Sequence, residues 1–169
     1  MNKALAHSRL LELLLRADFD KRYYSYCERH GNGRWTAGSW LEPAQEVLAA
    51  THLSFRYVKK EHFFYHRETF PGWELKLHVS LKGGMADWGL YIMVGELVEG
   101  GVLTVLAREV GTLRDPGFTP APPAPRAYFS NAEQMKIVVA EGVALFEHIK
   151  KPIVSCDWKA LAQTSGGNV

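Results

Sequence analysis

The chain has 169 residues, 47% of them hydrophobic and 22% charged, with a formal net charge of +2. That make-up suits one domain with a sizeable core and excludes disorder of the whole chain. The mild charge announces neither a nucleic-acid nor a membrane binder, and the two cysteines, Cys27 and Cys156, are too few and too far apart for a disulfide framework or a zinc spacing.

No eighteen apolar residues run together, so no membrane helix is predicted. The opening MNKALAHSRLLELLLRADFD is broken by Arg9, Glu12 and Arg16, and no small-residue cleavage site succeeds it, so it does not read as a signal peptide. The expected compartment is the cytoplasm, with both thiols buried or idle in a reducing environment. Residues 1–163 are expected to form a single α+β domain and 164–169 a frayed tail.

In chain order, residues 2 to about 29 carry Leu5, Leu10, Leu13, Leu14 and Ala17 at three- and four-residue intervals, which predicts helix. Asp18 and Asp20 mark a break, after which Phe19, Tyr23, Tyr24 and Cys27 continue the stripe. HGNGRWTAGS (30–39) is a loop, with Trp35 expected to fold back on the core and Arg34 at its tip. Ser39 with Glu42 predicts a capping box for a short helix running to about Thr51. LSFRYVKKEHFFYHRETF then has strand composition, read as a hairpin turning at Lys59-Lys60-Glu61 or as one strand bulged there, the hairpin being preferred.

Pro71-Gly72 signals a turn before Trp73 to Lys82, WELKLHVSLK, where apolar and polar residues alternate without a fault. That is the pattern of a half-buried strand, with Trp73, Leu75, Leu77, Val79 and Leu81 facing inward. Gly83-Gly84 closes it. Trp88 to Val98 reads as a nearly continuous apolar strand, Glu99-Gly100-Gly101 as a tight connection and Val102 to Val110 as a further strand. Short turns between successive strands imply an antiparallel meander of four or five strands. Five prolines between 116 and 125 make a stiff crossing. Ser130 with Glu133 predicts a second capping box, opening a C-terminal helix that stops before Lys150-Lys151-Pro152.

Charge concentrates on the strand region: residues 53–82 carry six basic and three acidic groups, whereas 83–169 carry seven and nine. Three constellations could carry chemistry. His62, His66 and His78 offer imidazoles, but strand positions four apart span about 13 Å, too far to share one ion comfortably, so no metal and no cofactor is expected. Arg56, Lys60, Lys76 and Lys82, with Tyr57, Phe64 and Tyr65 among them, have the composition of a single-strand binding face, at too low a charge to make nucleic acid the expected partner. Asp87 at a strand entrance and Glu96 within an apolar run are carboxylates of potential acid-base use, Glu96 being explained by exposure at the strand end. No nucleophile elbow, zinc-helix or phosphate-loop motif is present.

What remains is the wet face of the sheet, on which Tyr65, Lys76, His78 and Lys82 are the candidate partner-binding residues. A leucine-rich N-terminal helix, a central meander bearing Trp73 and Trp88 within and after WELKLHVSLKGG, and a capped C-terminal helix together resemble bacterial immunity proteins, which neutralise toxins delivered by type VI or contact-dependent secretion. The resemblance covers most of the chain and consists of organisation, so it assigns no residue a role. It implies a cytoplasmic, non-enzymatic inhibitor that binds a cognate toxin, its basic patch facing an acidic surface. The alternative is a small enzyme or ligand-binding domain with a pocket between sheet and helices, using His62, His78 or Asp87.

Overall fold

The computed structural model describes residues 3–36 and 38–163, so the tail 164–169 lies outside the described residues. Helices α1 (Lys3–Arg16) and α2 (Phe19–Arg29) share the apolar stripe of the N-terminus. They part at Asp18, which takes a left-handed backbone with φ of 50°. Helix α3 (Leu41–Ala49) comes after the glycine-bearing loop. Its N-cap is Trp40, and no side-chain cap bond is made, so the Ser39–Glu42 box does not form. Trp40 instead packs edge-on against Tyr57 and Phe64, and burial of a large ring outweighs a cap.

Five antiparallel strands run in sequence order: β1 (Arg56–Val58), β2 (Phe63–Phe70), β3 (Trp73–Ser80), β4 (Met85–Val94) and β5 (Leu97–Val102). The hairpin at 59–62 is the alternative adopted. In β3 burial alternates residue by residue as the polarity does, with Leu75, Leu77 and Val79 at 1% exposure or less. Helices α4 (Leu103–Arg114), α5 (Ala132–Val154) and the short α6 (Trp158–Gln163) complete the chain, with a two-residue strand β6 (Ala127–Tyr128) paired to the start of β4. The α+β architecture with N-terminal helices, an antiparallel meander and a closing helix is therefore the fold of this chain.

Three expectations are corrected in the second half of the sheet. The apolar run from Trp88 is split by a Gly95-Glu96 turn, so Val94 pairs with Leu97 and Glu96 is exposed in the turn. Glu99-Gly100-Gly101 lies inside β5, where Gly100 has φ of 116° and a Cβ would run into the Leu90 carbonyl of β4. The segment expected as a strand from Val102 to Val110 is the helix α4. Leu103, Leu106, Ala107 and Val110 recur at helical spacing and are buried, while Val105 faces solvent. Strand-favouring side chains there yield to the burial of a helical stripe.

Helix α5 begins one residue later than expected. The Asn131 Oδ1 accepts the Gln134 N–H at 2.9 Å, and Gln134 Oε1 accepts the Ser130 N–H at 2.8 Å. It also continues through Lys150-Lys151-Pro152, because Ile149 and Ile153, both fully buried, prolong its apolar face past the proline. Trp88 ties sheet to helices: its Nε1 donates to the Tyr26 hydroxyl at 3.0 Å, and α5 passes over the ring at Gly142.

Candidate functional site

Because one face of the meander is buried, its other face is fixed by register. Across the strands one row reads Arg56, Tyr65, His78, Gly89 and Val102, and the next reads Arg67, Lys76, Tyr91 and Gly100. A third reads Thr69, Glu74, Met93 and Val98. No described element buries these side chains: Tyr65, Lys76, His78, Tyr91 and Met93 are all half-buried and Val98 is exposed.

His78 is the centre of this face. Its ring stacks on Phe63, with centroids 4.6 Å apart and planes 17° apart, and meets Tyr91 at 4.7 Å and Tyr65 at 6.2 Å. Tyr91 can lie down beside His78 because Gly89 stands next to it; a Cβ there would come within 2.9 Å of Tyr91 Cε2. Desolvation by the surrounding rings, helped by the Lys76 ammonium and opposed by Glu61, holds the imidazole below its ordinary value. Burial and, secondarily, Asp87 push the Tyr91 phenol up. At neutral pH the cluster is thus an uncharged aromatic floor.

Charge surrounds the floor. Arg67 and Lys76 stand directly opposite each other on β2 and β3, and both reach one carboxylate, Glu74, at 3.5 and 3.9 Å. Asp87 is held by Arg126 at 3.2 Å. Among the described residues Arg56, Lys59, Lys60 and Lys82 make no ion pair. Lys82 is exposed in the 3-10 turn Lys82–Gly84 that succeeds β3.

Of the four residues predicted for a contact surface, Tyr65, Lys76 and His78 share this face and Lys82 lies at its end. Phe63, Arg67, Gly89 and Tyr91 escape sequence reasoning; Tyr91 sits in a run apolar on both parities, which hides its direction.

The three-histidine group does not assemble. His62 is in the turn with φ of 55°, hydrogen-bonded to the Tyr57 hydroxyl at 3.1 Å. His66 points inward between the Ser54 carbonyl and Glu68, so it does not share a face with His78. Among the described residues no group of three or more His, Cys, Asp or Glu is placed to hold a metal ion. The basic-aromatic set is likewise divided, since Tyr57 and Phe64 turn inward against Trp40 while Arg56 and Tyr65 face out. Trp35 folds onto Phe129 with its Nε1 donating to the Gly38 carbonyl, and Arg34 is exposed.

One cavity touches this face at Thr69, Glu74 and Met93, and two others lie away from it. A groove of about 830 Å³ runs under the proline-rich crossing between α2 and the end of α4, lined among others by Tyr24, Cys27, Arg114, Phe118, Arg126 and Tyr128. The Cys27 thiol is pushed up to about 12 by burial, far from a reactive thiolate. A smaller groove of about 430 Å³ lies between α3 and β1, lined by Leu48, Phe55, Tyr57 and Phe64 among others. Neither includes His62, His78 or Asp87. No described helix is long and apolar enough to cross a membrane. Comparison with protein-family models, with curated proteins and with solved structures finds no match to this chain.

Proposed function

We propose that this chain is a non-enzymatic protein-binding protein, and most concretely an immunity protein that holds a cognate bacterial toxin inactive. The observation that supports it is the open outward face, where an uncharged ring cluster of Phe63, Tyr65, His78 and Tyr91 is flanked by Arg56, Arg67 and Lys76. Rigid aromatic groups beside arginine are the composition of interface anchors, and a sheet face offers them on a scaffold that loses little freedom on binding. The organisation-level resemblance to immunity proteins points the same way.

The test is genetic and biochemical. A secreted toxin encoded beside this gene, co-expressed with it, should be tolerated by cells and should co-purify with this chain. Toxicity undiminished by co-expression, together with no co-purification, removes the reading.

A second reading, a small-ligand domain, draws on the groove under the proline-rich crossing. There the Tyr24 hydroxyl is shielded from solvent and has no hydrogen-bond partner among the described residues. A small-molecule panel that raises the melting temperature of the wild type but not of Tyr24→Phe would favour it.

A further inference from the structure

Two cations placed directly opposite each other across antiparallel strands repel, and the arrangement is tolerated only with a counter-charge nearby. Arg67 and Lys76 are such a pair, and the single Glu74 they share leaves one positive charge uncompensated. The other acid on the strands of this face among the described residues, Asp87, is neutralised by Arg126. Arg56 adds a further cation one row away, and Lys59, Lys60 and Lys82 at the strand ends outnumber Glu61. Next to this charge lies an apolar half-face on β4 and β5: Tyr91, Met93, Val98 and Val102, kept shallow by Gly89 and Gly100.

We infer that the open face docks an acidic protein surface, with partner carboxylates meeting Arg67, Lys76 and Arg56 and a partner apolar side chain seated on the Tyr91–Gly89–Gly100 trough. The inference rests on the protein-binding reading and specifies its chemistry. An incoming carboxylate relieves the Arg67–Lys76 repulsion and makes charge-assisted hydrogen bonds with a guanidinium, while the rings exclude water around it. A duplex or single strand is the less suited occupant. Continuous phosphate contact calls for a longer basic track than one row and its ends, and two of the aromatic rings that would stack bases, Tyr57 and Phe64, are turned away.

The probe is a random copolymer of glutamate and tyrosine, which carries both parts of the expected surface, titrated at neutral pH and low salt into isotope-labelled full-length protein. The expected result is saturable binding with the largest chemical-shift changes at Tyr65, Lys76, His78 and Tyr91. It should be weakened about tenfold or more by Arg67→Glu or Lys76→Glu in proteins whose spectra show the native fold. Polylysine should leave those resonances unmoved. No binding, shifts confined to lysines elsewhere such as Lys136 or Lys159, or indifference to both charge reversals would overturn the inference. A short duplex DNA that displaces the copolymer from the same residues would overturn it in favour of nucleic acid. Toxin rescue is scored separately. Rescue without copolymer binding removes the acidic-partner assignment alone, and binding without rescue removes the toxin alone.

Discussion

The His78 imidazole lies nearly parallel to the Phe63 ring, centroids 4.6 Å apart, on a face of the sheet that no described element covers. Burial among the rings and the nearby Lys76 ammonium favour the neutral imidazole, since charging it means desolvating a cation beside Lys76.

This sets the direction of the pH effect. The folded state binds its proton at His78 less readily than the unfolded chain, so the unfolded chain takes up the extra proton in the window between the two. The stabilisation is complete above the ordinary histidine value near 6.5 and is lost as pH falls through it toward the lower folded value. A site-resolved NMR titration should place the His78 midpoint below 6.5, and His78→Phe should remove its share of the acid-induced loss of stability. A midpoint above 6.5 contradicts the assignment.

Gly142 sits in the interior of α5, where alanine would ordinarily gain about 1 kcal/mol in helix propensity. Here a Cβ would lie 2.3 Å from Trp88 Cζ2, in a ring also fixed through its hydrogen bond to Tyr26. Overpacking at about 1–3 kcal/mol should prevail, so Gly142→Ala lowers the melting temperature by a few degrees. A rise would show that the α5 contact with Trp88 yields.

Arg114 grips Asp20 through two hydrogen bonds, Nε to Oδ2 at 3.0 Å and Nη2 to Oδ1 at 2.9 Å, and also reaches Asp18. Asp20 is only 4% exposed. Arg114→Met strands that buried carboxylate and should destabilise the chain by roughly 1–3 kcal/mol. Asp20→Asn in the same background should recover part of the loss, and no recovery in urea melts would contradict the pairing.

How much of the fold and of the contact face is legible in the sequence depends on whether one face of each segment is clearly wet. In β3 it is: Leu75, Leu77 and Val79 alternate with Lys76 and His78, so parity alone places both the core and the two contact residues of that strand. In β4 the outward set is Gly89, Tyr91 and Met93, itself apolar or small, so parity is lost and with it the Gly95-Glu96 turn and the direction of Tyr91. Losing that one turn shifts the reading of the next two elements, so that β5 resembles a connection and α4 a strand. Phe63 and Arg67 join the site only through register with His78 and Lys76, which no single strand reveals. Even spacing would put His62 and His66 on one strand face, but His62 is a turn residue with positive φ and only His66 keeps the inward parity of Phe64.

The proposed binding role is tested most directly by co-purifying a candidate toxin encoded beside this gene with wild-type protein and with the Arg67→Glu/Lys76→Glu double variant, alongside their melting temperatures. The double reversal sets two carboxylates opposite each other beside Glu74, so it should melt a few degrees below wild type while keeping a cooperative transition. Wild type should retain the candidate toxin and protect cells, and the double variant should lose both. A double variant that still captures the toxin and protects as well as wild type would contradict the assignment of the open sheet face as the binding surface.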